Sequence, residues 1–226
     1  MSKSAKLFAL AEKRKAITYE GYTAIGDYNG GIWECDYVSP YSKSAHNTDA
    51  DILIILQDWC SKESFQENVC QETLEYGYTP SVRTNIKLKK LLKKHLNVTF
   101  EQTYATNLFP YIKPGPMDAY IPKKDLLKAA KDFTLPIIEI IKPQIAICLG
   151  RATFDAIRKA CGLESVKDME EAVKSHFSHQ GTEIFFQAHT GPHGQNYRNR
   201  NGVDRVSQDW QVMLPYLKNR ITSKST

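Results

Sequence analysis

The sequence has few of the features by which disulfide-rich, membrane or nucleotide-phosphate proteins are recognised. Its five cysteines lie far apart and form no CxxC pair, which indicates reduced thiols in a cytoplasmic protein rather than a disulfide framework or a four-cysteine zinc site. No apolar stretch approaches the roughly 20 residues that cross a bilayer, and the apolar part of residues 1–15 is too short for a secretory signal. No GxxxxGK[ST] or GxGxxG motif occurs. The formal net charge of +5 suits an anionic partner but does not by itself establish nucleic-acid binding.

Four short apolar runs are present, and each ends abruptly in polar residues. They cover residues 51–56, 103–105, 144–149 and 183–188. Continuous apolar runs bounded by turn residues are typical of strands that are buried on both faces of a parallel sheet. Ligands of such sheets bind outside the carboxyl ends of the strands. We therefore expect Asp58, Asn107 and His189, which follow three of these runs, to converge on one site.

The segments between the strands are of two kinds. Helical patterns occur over 1–20, 83–96, 123–141, 151–161, 164–176 and 203–219. Irregular structure is expected over 21–48, over a long loop at 57–82 and over a Gly-rich loop at 191–202. Strands that alternate with helices predict an α/β fold, namely a three-layer α/β/α sandwich around a mainly parallel four-stranded sheet. At 226 residues, one domain is expected, with residues 1–48 as an N-terminal helix and lead-in.

The polar residues at the strand ends resemble, in their order, the motifs of the uracil-DNA glycosylase superfamily. Gln57-Asp58-Trp59 corresponds to the motif that ends the first strand, Thr106-Asn107 to the base-reading motif, and His189-Thr190-Gly191 to the late histidine motif. The resemblance runs from about Asp51 to Arg200. The chain departs from the pattern at Leu56, Trp59 and Thr190, where the family usually has Gly, Pro and Pro. The cysteine spacing also differs from that of the iron–sulfur branch, so no cluster is expected.

This resemblance implies a monofunctional DNA glycosylase that flips out a uracil or a modified pyrimidine and leaves an abasic site, in repair or in defence against modified phage DNA. Asp58 and His189 would be catalytic. The implied substrate-binding residues are Gln57, Asn107, Trp59, Tyr78 and Thr190. Each key residue also has a structural reading. Asp58 can cap a turn, His189 can be a hydrogen-bonded histidine at a strand end, and Asn107 can form a turn before a proline.

Contacts with DNA are expected from the loop at 191–202 and from one arginine before the Lys-rich helix. These residues are Gln195, Tyr197, Arg198, Arg200 and Arg83. Arginines in such a loop can bind phosphates, while Tyr197 or Gln195 fills the space left by an extruded nucleotide. An exposed, solvated loop is the alternative interpretation. The lysines at 87–94 are interpreted as a solvent-facing helix side.

The same residues allow three other interpretations, namely a zinc site, a thiol hydrolase and an inactive binding protein. A zinc site from His176, His179, His189 and His193 is not expected, because the first two precede the last strand and the others follow it. A thiol hydrolase built on Cys60 and His189 lacks a Gly-flanked nucleophile turn. A catalytically inactive protein of the same fold that binds DNA or another protein stays open. We expect no cofactor, no metal and no membrane contact, and a monomer whose partner is DNA.

Overall fold

A five-stranded mixed sheet forms the centre of the molecule, and the computed structural model describes residues 1–65 and 69–217. The strands are β1 (Ile52–Asp58), β2 (Tyr104–Phe109), β3 (Ile145–Leu149), β4 (Phe177–His179) and β5 (Thr182–Gln187). Their order is β2-β1-β3-β5-β4. The first three pairs are parallel, and β4 pairs antiparallel with β5. The fold is therefore α/β with a mostly parallel sheet.

Both faces of the sheet are covered, as the apolar runs predict. Leu53 and Ile55 of β1 point into one hydrophobic cluster, while Ile52, Ile54 and Leu56 point into another. All five side chains are at most 4% exposed. Alternate side chains of a strand face opposite sides of a sheet, so a run without polar interruptions is required when both sides are buried.

The prediction of four strands is corrected to five, because β4 escapes recognition from sequence. It has only three residues, and none of them is fully buried. Strand β2 also extends further than expected, from Tyr104 to Phe109, so that Asn107 lies inside the strand and pairs with Leu56.

Helices flank the sheet. They are α1 (Lys3–Ala16), α2 (Gln71–Tyr76), α3 (Arg83–Leu91), α4 (Lys123–Ala129), α5 (Leu135–Ile141), α6 (Arg151–Ala160), α7 (Met169–Lys174), α8 (Pro192–Arg198) and α9 (Arg205–Gln211). A π-helical turn at Leu92–Leu96 continues α3, and another at Ala130–Thr134 joins α4 to α5. The predicted helices at 83–96 and 123–141 are thus present. The predicted helix at 203–219 is shorter and is followed by a 3₁₀ turn at Leu214–Tyr216; residues 218–219 lie outside the described residues.

Two of the expected loops contain helices. The segment 57–82 includes α2, which ends at Gly77 with a positive φ of 77°. The segment 191–202 includes α8, for which Pro192 supplies the first residue. Neither helix has the apolar periodicity that would reveal it in the sequence. Ile86 of α3 is an apolar residue that stays 39% exposed.

The irregular segment 21–48 crosses the sheet edge and the loops beside it. Thr23 exchanges backbone hydrogen bonds with Ile112, and His46 forms a bridge with Tyr104 of β2. The N–H of Ala105 donates to the carbonyl of Ala45 at 2.8 Å. The segment therefore covers the outer edge of β2 and lies over the end of the sheet where the polar residues gather.

Candidate functional site

A cleft of about 690 Å³ opens at the carboxyl ends of β1, β3 and β5. Its lining includes the residues that end these strands, namely Leu56, Gln57, Asp58, Leu149, Gly150 and His189. Neighbouring strands lie about 4.8 Å apart, so β1 and β5, which flank β3, are separated by about 10 Å at this edge. The sheet therefore holds Asp58 and His189 on two sides of a gap, and Gly150 lies between them.

Gly150 keeps this gap open. Its φ of +95° lies in a region that side-chain-bearing residues rarely adopt, and no heavy atom lies within 4 Å of the position that a Cβ would take. A larger residue would be strained and would project into the free space of the cleft. The floor of the site at Gly150 therefore has no side chain, and polar groups lie on both sides of it.

The carboxylate of Asp58 is held from two directions. The side-chain amide of Gln57 donates to Oδ1 at 3.0 Å, and Nζ of Lys113 lies 2.8 Å from Oδ2. The two charged side chains are only 7% and 3% exposed. Nζ of Lys113 also donates to the carbonyl oxygen of Met117 at 2.5 Å. Because an unpaired buried charge is costly, this ion pair fixes the carboxylate in one orientation.

Lys113 is a site residue that sequence reasoning missed. Three prolines in the segment 109–116 disfavour a helix, and Lys113 forms a backbone bridge with Ser61 there. The N–H of Lys62 donates to the carbonyl of Lys113 at 2.9 Å. A lysine in a proline-rich loop is ordinarily a surface residue, so the only available signal was its position soon after β2.

His189 lines the cleft, and its neutral ring carries the hydrogen on Nε2. The N–H of Gly191 donates to Nδ1 at 3.1 Å, which assigns the lone pair to Nδ1 and the hydrogen of the neutral ring to Nε2. Burial lowers the pKa of His189, because the imidazolium loses hydration there, and the charge of Asp58 opposes this shift. At neutral pH the ring is therefore an uncharged donor.

Two glycines set the position of this histidine. A Cβ on Gly191 would lie 2.9 Å from Nδ1 of His189, and a Cβ on Gly194 would lie 2.4 Å from its backbone oxygen. The side-chain amide of Gln195 donates to the same oxygen at 3.0 Å. The turn after β5 and the first residues of α8 therefore pack directly against His189, and only glycine fits at these two positions without a shift.

The stability of the protein should depend on pH through His189. The unfolded chain binds a proton at this histidine at about pH 6.5, whereas the folded protein binds it only at lower pH. The contribution of the neutral His189 to the unfolding free energy is therefore complete above about pH 6.5 and is lost as the pH falls toward the lowered pKa. His189→Asn retains an acceptor for Gly191 but cannot be protonated. We expect the variant to lose less unfolding free energy than the wild type between about pH 7.5 and 5.5, as measured by urea titration.

Buried His95, whose pKa is also lowered by desolvation, is present in both proteins and cancels in this comparison. Identical pH dependence in the wild type and in His189→Asn would show that His189 takes no part.

Aromatic side chains form one wall of the cleft. Trp59 lies 5.9 Å from Trp33 and 6.0 Å from Phe65 between ring centroids, and Tyr28 stacks on Phe65 at 4.2 Å. The indole N–H of Trp59 donates to the carbonyl of Gly77 at 2.9 Å. Trp33 and Tyr28 come from the irregular segment 21–48. Trp33 lines the cleft, whereas Tyr28 stacks on Phe65. Neither role was predicted, because nothing in the sequence places this segment over the strand ends.

The other predicted substrate-binding residues differ in position. Tyr78 lines the cleft but is only 3% exposed and stacks on Tyr41 at 5.2 Å. The expectation that Asn107 faces the cleft is not met. Asn107 is 0% exposed, and its Oδ1 accepts a hydrogen bond from the hydroxyl of Ser39 at 2.5 Å. Thr190 is likewise buried and does not line the cleft. Asn107 and Thr190 could contact a base only if the residues that bury them moved.

The predicted DNA-binding loop is corrected to the helix α8, which changes the positions of its residues. Arg198 is 6% exposed and is paired with Asp209 and Glu170, so its guanidinium does not face solvent. Gln195 is also buried. Tyr197, by contrast, is 56% exposed, and the guanidinium of Arg200 lies 5.0 Å from its ring. Arg83, at the start of α3, is exposed.

The alternatives based on a thiol or a metal gain no support from these positions. Cys60 lines the cleft, but burial raises its pKa and so disfavours the thiolate. His176 bonds to Tyr216, and His179 contacts Glu139 and Cys161, away from His189. Over residues 1–65 and 69–217, no group of three His, Cys, Asp or Glu side chains is arranged to hold a metal ion.

The fold and the cleft define an α/β protein whose candidate site lies at the carboxyl ends of parallel strands, with an acid and a neutral imidazole on two sides of it. No protein-family model matches the chain, and no curated protein matches it. No helix of the described part has the length and apolarity needed to cross a membrane. The residues of the cleft therefore carry the functional argument.

Proposed function

We propose that the protein is a monofunctional DNA glycosylase that hydrolyses the N-glycosidic bond of a flipped-out pyrimidine nucleotide. The observation that carries this proposal is the position of Asp58 and His189 on two sides of one cleft, separated by the open floor at Gly150. The cleft volume of about 690 Å³ is within the range of pockets that enclose small ligands. The resemblance of the strand-end motifs to the uracil-DNA glycosylase superfamily supports the same reaction.

Hydrolysis of this bond creates positive charge on the sugar and negative charge on the leaving base. The carboxylate of Asp58 would stabilise the sugar cation and orient a water molecule toward C1′. The water oxygen then bonds to C1′ while the bond from C1′ to the base nitrogen breaks, with the electron pair leaving on the base. The proton that the water loses would pass to the carboxylate of Asp58, and the released base anion would take up a proton from solvent. Lys113 would act as a positioning residue, because its ammonium group holds the carboxylate of Asp58 in place.

His189 would stabilise the departing base. Its neutral ring carries a hydrogen on Nε2, and a donor fixed in place before the reaction stabilises a developing oxyanion by roughly 2.7–4 kcal/mol. The hydrogen bond from Gly191 orients the ring, and Gly194 packs closely against the backbone and Cβ of His189. The donor is thus oriented by the backbone rather than by a second acid.

The aromatic wall suits the base itself. Trp59 and Phe65 offer ring faces and edges against which a flipped base can stack. The space is larger than a pyrimidine ring alone requires, which leaves room for a substituent on the base. We therefore include modified pyrimidines beside uracil, and a role in defence against modified phage DNA beside repair.

The reaction is expected to stop at the abasic site. Strand cleavage by a glycosylase needs a free amine that attacks C1′. Lys113 is the lysine in the cleft lining, and its ammonium is held by Asp58 and by the carbonyl of Met117. We therefore expect breaks in the strand only after treatment with alkali.

A second candidate is a catalytically inactive protein that binds DNA. It is favoured by the buried ion pair, because Lys113 neutralises much of the charge that Asp58 would offer to a sugar cation. Burial of Asn107 favours it as well. Such a protein would retard DNA in a gel without creating alkali-labile sites.

One experiment separates the two candidates. Duplexes with uracil or with oxidised, deaminated or hypermodified bases are incubated with the protein, and any released base is identified by mass. We expect one or a few of these bases to be released, each leaving an alkali-labile site, and His189→Asn to reduce the rate by about 10²–10³-fold. DNA binding without release from any duplex would identify the inactive binder and refute the glycosylase proposal.

A further inference from the structure

A stripe of positive charge runs along the solvent side of α3. It consists of Arg83, Lys87 and Lys90, which are spaced by four and three residues. At about 100° of rotation per residue, these side chains lie within roughly 60° of one another around the helix. The residues of α3 that face the core are Asn85, Leu88 and Leu91. The stripe thus lies on a different side of the helix from these residues, with Arg83 and Lys90 exposed and Lys87 half-buried next to Leu91.

The charges of this stripe are not neutralised. No Asp or Glu occurs between Glu75 and Glu101 in the sequence. Across the described residues, none of the three side chains forms an ion pair.

Helix α1 shows the opposite behaviour. There Lys13 pairs with Asp132 at 3.2 Å and Lys15 pairs with Asp36 at 2.8 Å. The lack of ion pairs at Arg83, Lys87 and Lys90 is therefore a local property of this side of α3 rather than a general feature of the described residues.

The stripe begins at the rim of the cleft. Val82, Thr84 and Asn85, at the beginning of α3, belong to the cleft lining. From Arg83 to Lys90 the helix rises by about 10 Å, a length that corresponds to about three phosphates along one strand of DNA. A linear series of cations that leads away from a cleft matches a linear polyanion better than a flat anionic surface.

Other lysines of this region have different contacts. Nζ of Lys94 donates to the hydroxyl of Ser207 at 3.1 Å and lies 3.9 Å from Asp204. Nζ of Lys89 lies 5.2 Å from the ring centroid of Tyr78. Lys94 lies on the same side of the helix but is close to a carboxylate, so the stripe without ion pairs consists of Arg83, Lys87 and Lys90.

We propose that Arg83, Lys87 and Lys90 bind the phosphate backbone of DNA beside the nucleotide that enters the cleft. This inference rests on the proposed function, because it takes DNA as the substrate. It adds a second interaction surface to the segment 191–202, in which Arg198 is paired with carboxylates while Tyr197 and Arg200 are exposed.

The test compares two triple variants with equal loss of charge. Arg83→Gln/Lys87→Gln/Lys90→Gln removes the stripe, and Lys123→Gln/Lys124→Gln/Lys131→Gln removes three exposed lysines from the other side of the sheet. Both reduce the formal net charge from +5 by three, to +2. Dissociation constants for an unmodified DNA duplex are measured between about 50 and 200 mM salt, and thermal unfolding verifies that both variants are folded.

We expect the stripe variant to bind DNA at least about tenfold more weakly at low salt. The slope of log K against log salt should decrease by about two to three, since each lost phosphate contact contributes about 0.9. The variant at 123, 124 and 131 should keep the slope of the wild type. Equal slopes in the two variants would overturn the proposal, because only net charge would then matter.

A second arm uses vesicles that contain phosphatidylserine. Binding to vesicles that depends on the stripe, without a stripe-dependent effect on DNA, would assign the surface to a membrane and would also overturn the proposal. No base release is measured in these experiments. A protein that lacks glycosylase activity but shows the expected slopes would therefore refute the proposed reaction and leave the DNA-binding surface intact.

Discussion

Asp58→Asn should reduce the rate of the proposed base release on the order of 10²–10³-fold. The substitution removes the negative charge that would face the sugar cation, while an amide oxygen stays next to Nζ of Lys113. Single-turnover kinetics with the duplex identified as substrate measure the effect on the chemical step. The dissociation constant for the same duplex should change much less, since the carboxylate is only 7% exposed before the reaction.

A matched control is found in the same cleft. Asp118 also belongs to the lining but is an exposed residue of the rim, so Asp118→Asn removes one charge without affecting the floor. We expect it to keep most of the activity. Full activity of Asp58→Asn, or an equal loss in both variants, would exclude Asp58 as the catalytic carboxylate of this site.

The stability of Asp58→Asn needs a separate measurement, because Lys113 loses its charged partner. Lys113→Met combined with Asp58→Asn removes the ion pair altogether, and replacement of both partners is tolerated better than removal of one. If the double variant is as stable as the wild type and still inactive, the loss of activity cannot come from unfolding.

Arg198→Ala should lower the free energy of unfolding by about 3–5 kcal/mol. Nε and Nη2 of Arg198 donate to the two carboxylate oxygens of Asp209 at 2.6 and 2.9 Å, and Nη1 donates to Glu170 at 2.6 Å. These hydrogen bonds raise the pKa of Arg198 further above its ordinary value. The side chain of Asp209 is only 5% exposed, so the alanine variant leaves it as an unpaired buried charge. Chemical denaturation measures the loss.

Arg200→Ala is the control for this experiment. Arg200 is exposed and contacts the ring of Tyr197, so its replacement should change the unfolding free energy by less than about 0.5 kcal/mol. If Arg198→Ala instead left stability unchanged and weakened DNA binding, then Arg198 would contact phosphate, as the sequence alone suggested.

The contrast between these two arginines shows what the sequence could and could not predict. Buried strands without polar interruption were recognisable from their apolar runs, and with them the edge of the sheet where Asp58 and His189 lie. The helix α8 was not recognisable, because Gly194 and neighbouring polar residues replace the apolar periodicity. The helix packs against His189, and the partners of Arg198 come from two other helices, Glu170 from α7 and Asp209 from α9.

The position of Asn107 also depends on a contact between segments that are far apart in the sequence. The residue follows a short apolar run, which predicted a strand that ends before it, yet β2 continues to Phe109. The hydroxyl of Ser39 then reaches Asn107 from a segment that was expected to be irregular. Local patterns identify buried strands well, but they do not reveal which loop covers a strand end.

The backbone pairing of His46 and Ala45 with β2 has a consequence for self-association. An outer strand with free N–H and C=O groups is a template on which a second copy can add its own strand, and such growth leads to aggregates. Here the segment before β1 already occupies part of that template, and the opposite outer strand, β4, offers only three residues. Extension of the sheet from one molecule to the next is therefore disfavoured at both ends, without a charged residue having to be placed there for that purpose.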